Sequence, residues 1–123
     1  MFRVSCIQLR SSDNIKKNIE TTIKLIKKAA KQRSDFILTP EVSSFFSLNR
    51  QKLLKVSTTM NKDPYLNEIK KIAKNYKKWI LIGSIIVKIS RNKLVNRSIL
   101  IDKKGKVRTY YDKIHMYDVV LSK

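Results

Sequence analysis

The opening stretch, from Phe2 to Leu38, restricts this chain more than any other. An apolar run, an amphipathic helix pattern and a second apolar run follow one another there with short polar joints. Phe2 to Leu9 carries Val4 and Cys6 on one alternating face and Ile7 and Leu9 on the other, which reads as a strand covered on both sides. Ser11-Ser12-Asp13 offers the cap for the next element. Ile15, Ile19, Ile23, Ile26 and Ala30 then fall on one face of a helix, with Lys16, Lys17, Lys24, Lys27 and Lys28 on the other. This helix is expected to end near Gln32 to Ser34, and Asp35 to Leu38 is a second short strand stopped by Thr39-Pro40. Strand, helix, strand is the unit that lays down neighbouring parallel strands. Residues at the carboxyl ends of such strands border the crevice where ligands bind. Glu41 sits at that end. It reads as a functional carboxylate or as a solvated loop acid, and it is a better candidate than Glu20 or Glu68, which lie on predicted helices.

Beyond Glu41 the pattern turns to hairpins. Val42 to Lys62 is a polar loop with helical pieces around Gln51 to Val56; in it Phe45 and Phe46 read as packing anchors or a pocket wall. Asp63-Pro64 is a helix start, cap followed by first-turn proline, and Leu66, Ile69, Ala73 and Tyr76 form the predicted buried stripe. Trp79 to Ile89 is a third strand, where Gly83 signals the close approach of another backbone. Arg91-Asn92-Lys93 turns the chain into a fourth strand, Leu94 to Asp102. Lys103-Lys104-Gly105 is a tight turn with glycine at the left-handed position, and Val107 to Asp112 is a fifth strand that delivers Lys113. The fold class is α/β with a mixed sheet. Lys113 stands in the stretch YYDKIHMYDV, Tyr110 to Val119, among aromatic and acidic neighbours. A compact cation held there would stabilise an anion formed during a reaction; residue types alone favour an exposed lysine.

Composition narrows the function classes. A chain of 123 residues with 42% apolar side chains is a globular domain or part of one. Its net charge of +19 suggests nucleic acid or an anionic membrane as partner. The lysines, however, are scattered, and the chain is rich in Ile, Asn and Lys with only 2 Gly and 2 Pro. That mixture reads as compositional bias, and no RNA-binding signature or paired Cys and His occurs, so no specific nucleic acid is expected. One cysteine, Cys6, excludes an internal disulfide and fits a reducing compartment. The N-terminus lacks a signal-peptide pattern, and the longest apolar run, Trp79 to Val87, is too short to span a bilayer. A cytoplasmic protein without membrane partner is expected. Cys6 and His115 are too few for a metal site, and no cofactor is implied.

Taken in order, several motifs resemble the N-terminal half of the nitrilase superfamily, the carbon–nitrogen hydrolases. They are the first strand with Gln8, the helix from Asn14, TPE at Thr39 to Glu41, IGS at Ile82 to Ser84, NRSILID at Asn96 to Asp102 and YDKIHMYDV at Tyr111 to Val119. The resemblance covers essentially the whole chain. It implies the N-terminal half of an α-β-β-α sandwich, a mixed sheet with helices on one face. It also implies a Glu-Lys-Cys mechanism in which Glu41 is the general base and Lys113 the cation beside the tetrahedral intermediate. The family's nucleophile lies in a later motif, so residues 1–123 are expected to be a partial domain, inactive alone, with Cys6 a core residue. His115, followed by Met116, Tyr117 and Asp118, resembles the amidase branches acting on small ω-amides and deaminated glutathione. A small amide substrate, a hydrogen-bonding role for His115 and a homo-oligomer at full length are therefore expected. Two other readings are a basic nucleic-acid-binding module and a non-catalytic short form that pairs with a full-length relative. Separated from the remainder, the sheet is expected to leave an apolar face uncovered, making the isolated chain unstable or aggregation-prone. The hydrolase reading requires Glu41 and Lys113 to converge at one rim of the sheet.

Overall fold

The computed structural model describes residues 1–115. Its elements are β1 (Val4–Cys6), α1 (Ile15–Lys31), β2 (Phe36–Leu38), α2 (Arg50–Val56), a 3-10 turn (Met60–Lys62), α3 (Pro64–Tyr76), β3 (Trp79–Ser90), β4 (Lys93–Ile101) and β5 (Val107–Asp112). They form a five-stranded sheet in sequence order, with β1, β2 and β3 parallel and β4 and β5 added as antiparallel hairpins. The α/β class and the mixed sheet are as the sequence pattern predicts.

One face of the sheet is dry. Ile37, Ile80, Ile82, Ile99 and Ile101 meet Ile26 of α1 and Leu66, Ile69 and Ala73 of α3, all essentially buried. A fully buried isoleucine contributes roughly 1.5–3 kcal/mol relative to exposure, so this layer carries the fold. Polar groups inside it are paired: the buried Tyr65 hydroxyl donates to Thr22 Oγ1 at 3.2 Å, and that hydroxyl donates to Asn18 O at 2.7 Å.

Four local expectations need correction. Asn14, rather than Ser11 to Asp13, caps α1, its side chain accepting from Lys17 N–H at 3.0 Å. The buried stripe of α1 runs through Asn18, Thr22, Ile26 and Ala29, leaving Ile15, Ile19 and Ile23 half-buried. The helix tolerates this rotation because Asn18 spends its amide on loop carbonyls, donating to Ser12 O and Ser44 O. Tyr76 is likewise half-buried rather than core.

The fourth correction concerns the first strand, which is short and covered on one side only. Cys6 is exposed, not a core residue. Cross-strand register shows why. Cys6, Leu38, Leu81, Leu100 and Thr109 form one row across the sheet, and Val4, Phe36 and Trp79 form the next. These rows lie on the face opposite the helices. Among the described residues that face is open: Val4 is exposed, while Phe36, Leu38, Trp79, Leu81 and Leu100 are half-buried. The expected uncovered apolar face is therefore present. No helix among the described residues is long and apolar enough to cross a membrane.

Candidate active site

The site is assembled where the chain leaving β2 crosses β3. Thr39 N–H donates to Leu81 O at 3.0 Å, and Pro40 O accepts from Ser84 N–H at 3.3 Å. This crossing is possible because residue 83 is glycine. A Cβ there would lie 2.2 Å from Thr39 O and 2.7 Å from Pro40 C, distances no side chain tolerates. The pairing of β3 with β4 is interrupted at the same place, between Ile82 and Ile85, and the resulting irregularity re-aims the strand as β-bulges do.

Glu41 follows Pro40, and its neighbour Val42 holds φ at +50°. A β-branched residue avoids this left-handed region, at a cost of order 1–3 kcal/mol. Serines hold the backbone in it. Val42 N–H donates to Ser84 Oγ at 2.8 Å, and Ser43 N–H to Ser84 O at 3.0 Å. The buried Ser43 hydroxyl lies 3.0 Å from Thr39 Oγ1 and 3.1 Å from Pro40 O.

Lys113 arrives from the far edge of the sheet. On the helix side of β4, Arg97 grips Asp112 through two hydrogen bonds, Nε to Oδ1 at 2.6 Å and Nη2 to Oδ2 at 2.8 Å. Its guanidinium also sits 4.0 Å from the centre of the Tyr110 ring. With Asp112 fixed, the next residue turns to the opposite face, and Lys113 N–H donates to Asn96 O at 2.9 Å.

Glu41 and Lys113, 72 positions apart in sequence, meet there: Lys113 Nζ donates to Glu41 Oε1 at 2.7 Å. The same oxygen accepts from Asn96 Nδ2 at 2.8 Å. The Lys113 ammonium holds the Glu41 carboxyl below its usual range; partial burial works the other way, and the Asn96 amide adds to the lowering. Glu41 is thus an ionised carboxylate at neutral pH. A cleft of about 380 Å³ opens beside the pair, walled by Val42, Phe46, Leu53 and Ile86. A second, of about 280 Å³, flanks its other side, between Gly83, Ser84, Ser98 and Tyr111. The two phenylalanines divide their expected tasks: Phe45 is buried, while Phe46 is half-exposed and walls the cleft.

His115 is exposed, and Met116, Tyr117, Asp118 and Val119 lie outside the described residues. Cys6 is not part of the cluster. With β2 and β3 between β1 and β4, its strand stands about 14 Å from that of Asn96 at the usual inter-strand spacing. Asn96 is the residue that sequence reasoning left without a role. A signal was there: Leu94, Asn96, Ser98 and Leu100 share one strand face, and an amide in the middle of such a row needs a partner.

Comparison with known proteins decides the family. The carbon–nitrogen hydrolase family model matches residues 3–122. The chain belongs to the carbon–nitrogen hydrolases. A deaminated glutathione amidase of Yersinia enterocolitica is 30% identical over 118 residues, covering 94% of this chain and 41% of that protein. The crystal structure of the Caenorhabditis elegans NitFhit protein superposes with a TM-score of 0.86 at 22% identity, over 98% of this chain and 31% of the other. A mutant of the amidase from Nesterenkonia sp. AN1, in complex with butyramide, superposes with a TM-score of 0.82 at 18% identity, over 96% of this chain and 45% of the other. These superpositions establish the nitrilase-type fold. This carbon–nitrogen hydrolase stretch spans less than half the length of each of these three proteins.

Proposed function

We propose that this chain supplies the base and the cation of an amide-hydrolysing site that acts with a cysteine nucleophile. Glu41 takes the proton from the thiol, and the thiolate attacks the carbonyl carbon of a small amide. Lys113 offsets the charge on the carbonyl oxygen of the tetrahedral intermediate. Collapse expels ammonia, which carries the proton held by Glu41, and leaves a thioester. Water, deprotonated by Glu41, then attacks the thioester and releases the carboxylic acid and the thiol.

The observation that carries this reading is the 2.7 Å contact between Lys113 Nζ and Glu41 Oε1 at the mouth of a cleft. Stability does not explain it. The side chains are 39% and 55% exposed, and ion pairs with that access to water contribute about 0–1 kcal/mol. The amide-acting names of the relatives agree with an amide substrate, and the half-apolar cleft wall fits a short aliphatic chain. Cys6 stands on the wrong strand to be the nucleophile, so the thiol comes from outside these 123 residues and the chain alone is inactive.

Ammonia release from short ω-amides, measured on a full-length polypeptide carrying this sequence, tests the proposal. Hydrolysis that survives Glu41→Gln or Lys113→Ala, or that residues 1–123 perform alone, would refute it.

A further inference from the structure

Asn96 is buried, at 6% exposure, on the open side of β4. Its backbone carbonyl oxygen accepts from Lys113 N–H, and its side-chain Nδ2 donates to Glu41 Oε1 at 2.8 Å. The amide orientation follows from chemistry, since an ionised carboxylate only accepts and must face the nitrogen. That leaves Oδ1 buried with no hydrogen-bond partner among the described residues. An asparagine kept for stability would not be left so. An unpaired buried carbonyl costs about 1–3 kcal/mol, which is similar to what a hydrogen bond to a charged group returns.

Among the described residues, both donors to Glu41, Lys113 Nζ and Asn96 Nδ2, end on the same oxygen, Oε1. We infer that Asn96 is a positioning residue for the hydrolysis proposed above: with Lys113 it occupies Oε1 and thereby makes Oε2 of Glu41 the oxygen that exchanges protons with thiol, leaving ammonia and water. The inference rests on that reading of the site. Lysine alone would not orient the carboxylate, because its ammonium rides on a flexible stem. It also turns toward the carbonyl oxygen as charge develops there. The strand-fixed amide of Asn96 keeps hold of Glu41 when it does.

Two measurements on the full-length polypeptide test this, with Asn96→Leu and the isosteric Asn96→Asp. The first follows the Glu41 carboxyl by infrared titration of protein labelled with ¹³C-carboxyl glutamate, using Glu41→Gln as the spectrum to subtract; it needs no catalysis. Glu41 is expected to titrate at higher pH in Asn96→Leu, which removes a donor, and higher still in Asn96→Asp, which adds a like charge. The second is kinetic. We expect kcat to fall roughly ten- to a hundred-fold, the scale of a misplaced group, with KM changed less than about two-fold, the signature of an interaction made in the transition state. The acid limb of kcat/KM moves up with the Glu41 titration, since it reports the free enzyme's base. Unchanged titration of Glu41, unchanged kcat, or global unfolding of both variants would overturn the inference. If Glu41 titration shifts as expected while no small amide is hydrolysed by the unsubstituted protein, the hydrolase reading fails, and with it the role of Oε2.

Discussion

Asn96 and Arg97 are neighbours on β4, yet the two sides of the strand that they serve are built on opposite principles. Arg97 is 11% exposed, grips both oxygens of Asp112 and stacks on Tyr110. Its bidentate geometry holds the end of β5 in one place. Asn96 spends one side-chain donor on a half-exposed carboxylate and leaves its side-chain carbonyl, Oδ1, unpaired among the described residues. Across the cleft from it Val42 sits in a strained backbone conformation. One side is tied down by paired charges; the other holds a carboxylate, an ammonium and an unfilled acceptor. A strained residue and an unmet hydrogen bond beside one cleft mark a candidate functional site, which the ordered side supports.

Substitutions on the two sides should therefore separate activity from stability. The largest expected effect is on activity. In the full-length polypeptide, with the roles proposed above, Glu41→Gln or Lys113→Ala should lower kcat for amide hydrolysis by about 10²–10⁴-fold, the usual contribution of a general base or an oxyanion donor. The thermal midpoint should stay nearly unchanged, because the pair is half in water. A midpoint loss matching the loss of activity would erase the distinction between the two sides. Next is Arg97→Ala, which leaves Asp112 and the Tyr110 ring without their partner. A loss of about 2–3 kcal/mol in denaturant unfolding is expected, somewhat under that for breaking a fully buried pair. Activity should fall only as far as Lys113 is released.

Acid should probe the same contrast at smaller amplitude. The Glu41 carboxyl is held below its ordinary value of 4.5 by Lys113, and that of Asp112 below 3.8 by Arg97. Each therefore contributes stability that is complete above the ordinary value and lost as pH falls through the lowered one. Asp63 has the opposite sign. Burial raises its carboxyl, so folding gains from its protonation as pH falls through that raised value. Between pH 5 and pH 2, roughly the window in which lowered carboxylates titrate, Asp112→Asn should flatten the loss of stability. Glu41→Gln should flatten it less, because solvent screens its partner. Equal flattening by the two would mean that the two pairs are equally buried in solution.

How much of this was legible in the sequence depended on whether the signal was local. The parallel unit, the hairpins and the close approach at Gly83 came from periodicity and turn chemistry, which act over a few residues. The meeting of Glu41 and Lys113 was legible through the order of the TPE and YDKIH motifs and their places at strand ends. Cys6 was misread because a strand with apolar residues on both faces looks the same whether or not anything covers the second face. Coverage is decided by chain distant from the strand. The rotation of α1 was hidden because Asn18 and Thr22 look solvated until Ser44 and Tyr65 arrive to pair with them. Nothing in the sequence marks Val42 as left-handed, since its side chain argues against that conformation and the serines that impose it come from elsewhere.

Val42 gives the smallest expected effect and the sharpest use of the comparison. At φ +50° a glycine is unstrained, so Val42→Gly should recover roughly 1–2 kcal/mol of backbone strain. Against this, glycine loses more entropy on folding, about 0.5–1 kcal/mol, and the half-buried valine gives up contacts along the cleft. These terms nearly cancel, so equilibrium unfolding should change by less than about 1 kcal/mol. Activity should not cancel in the same way. The substitution frees the segment that aims Glu41, and a looser base lowers kcat by several-fold even when the protein is no less stable. Serine 84 offers the control, because Ser84→Ala removes the hydroxyl that accepts from Val42 N–H while leaving the valine in place. If strain at residue 42 has no bearing on the site, Val42→Gly would leave both stability and kcat nearly unchanged. If it serves the site, both substitutions would lower kcat, and only Ser84→Ala would also lower stability.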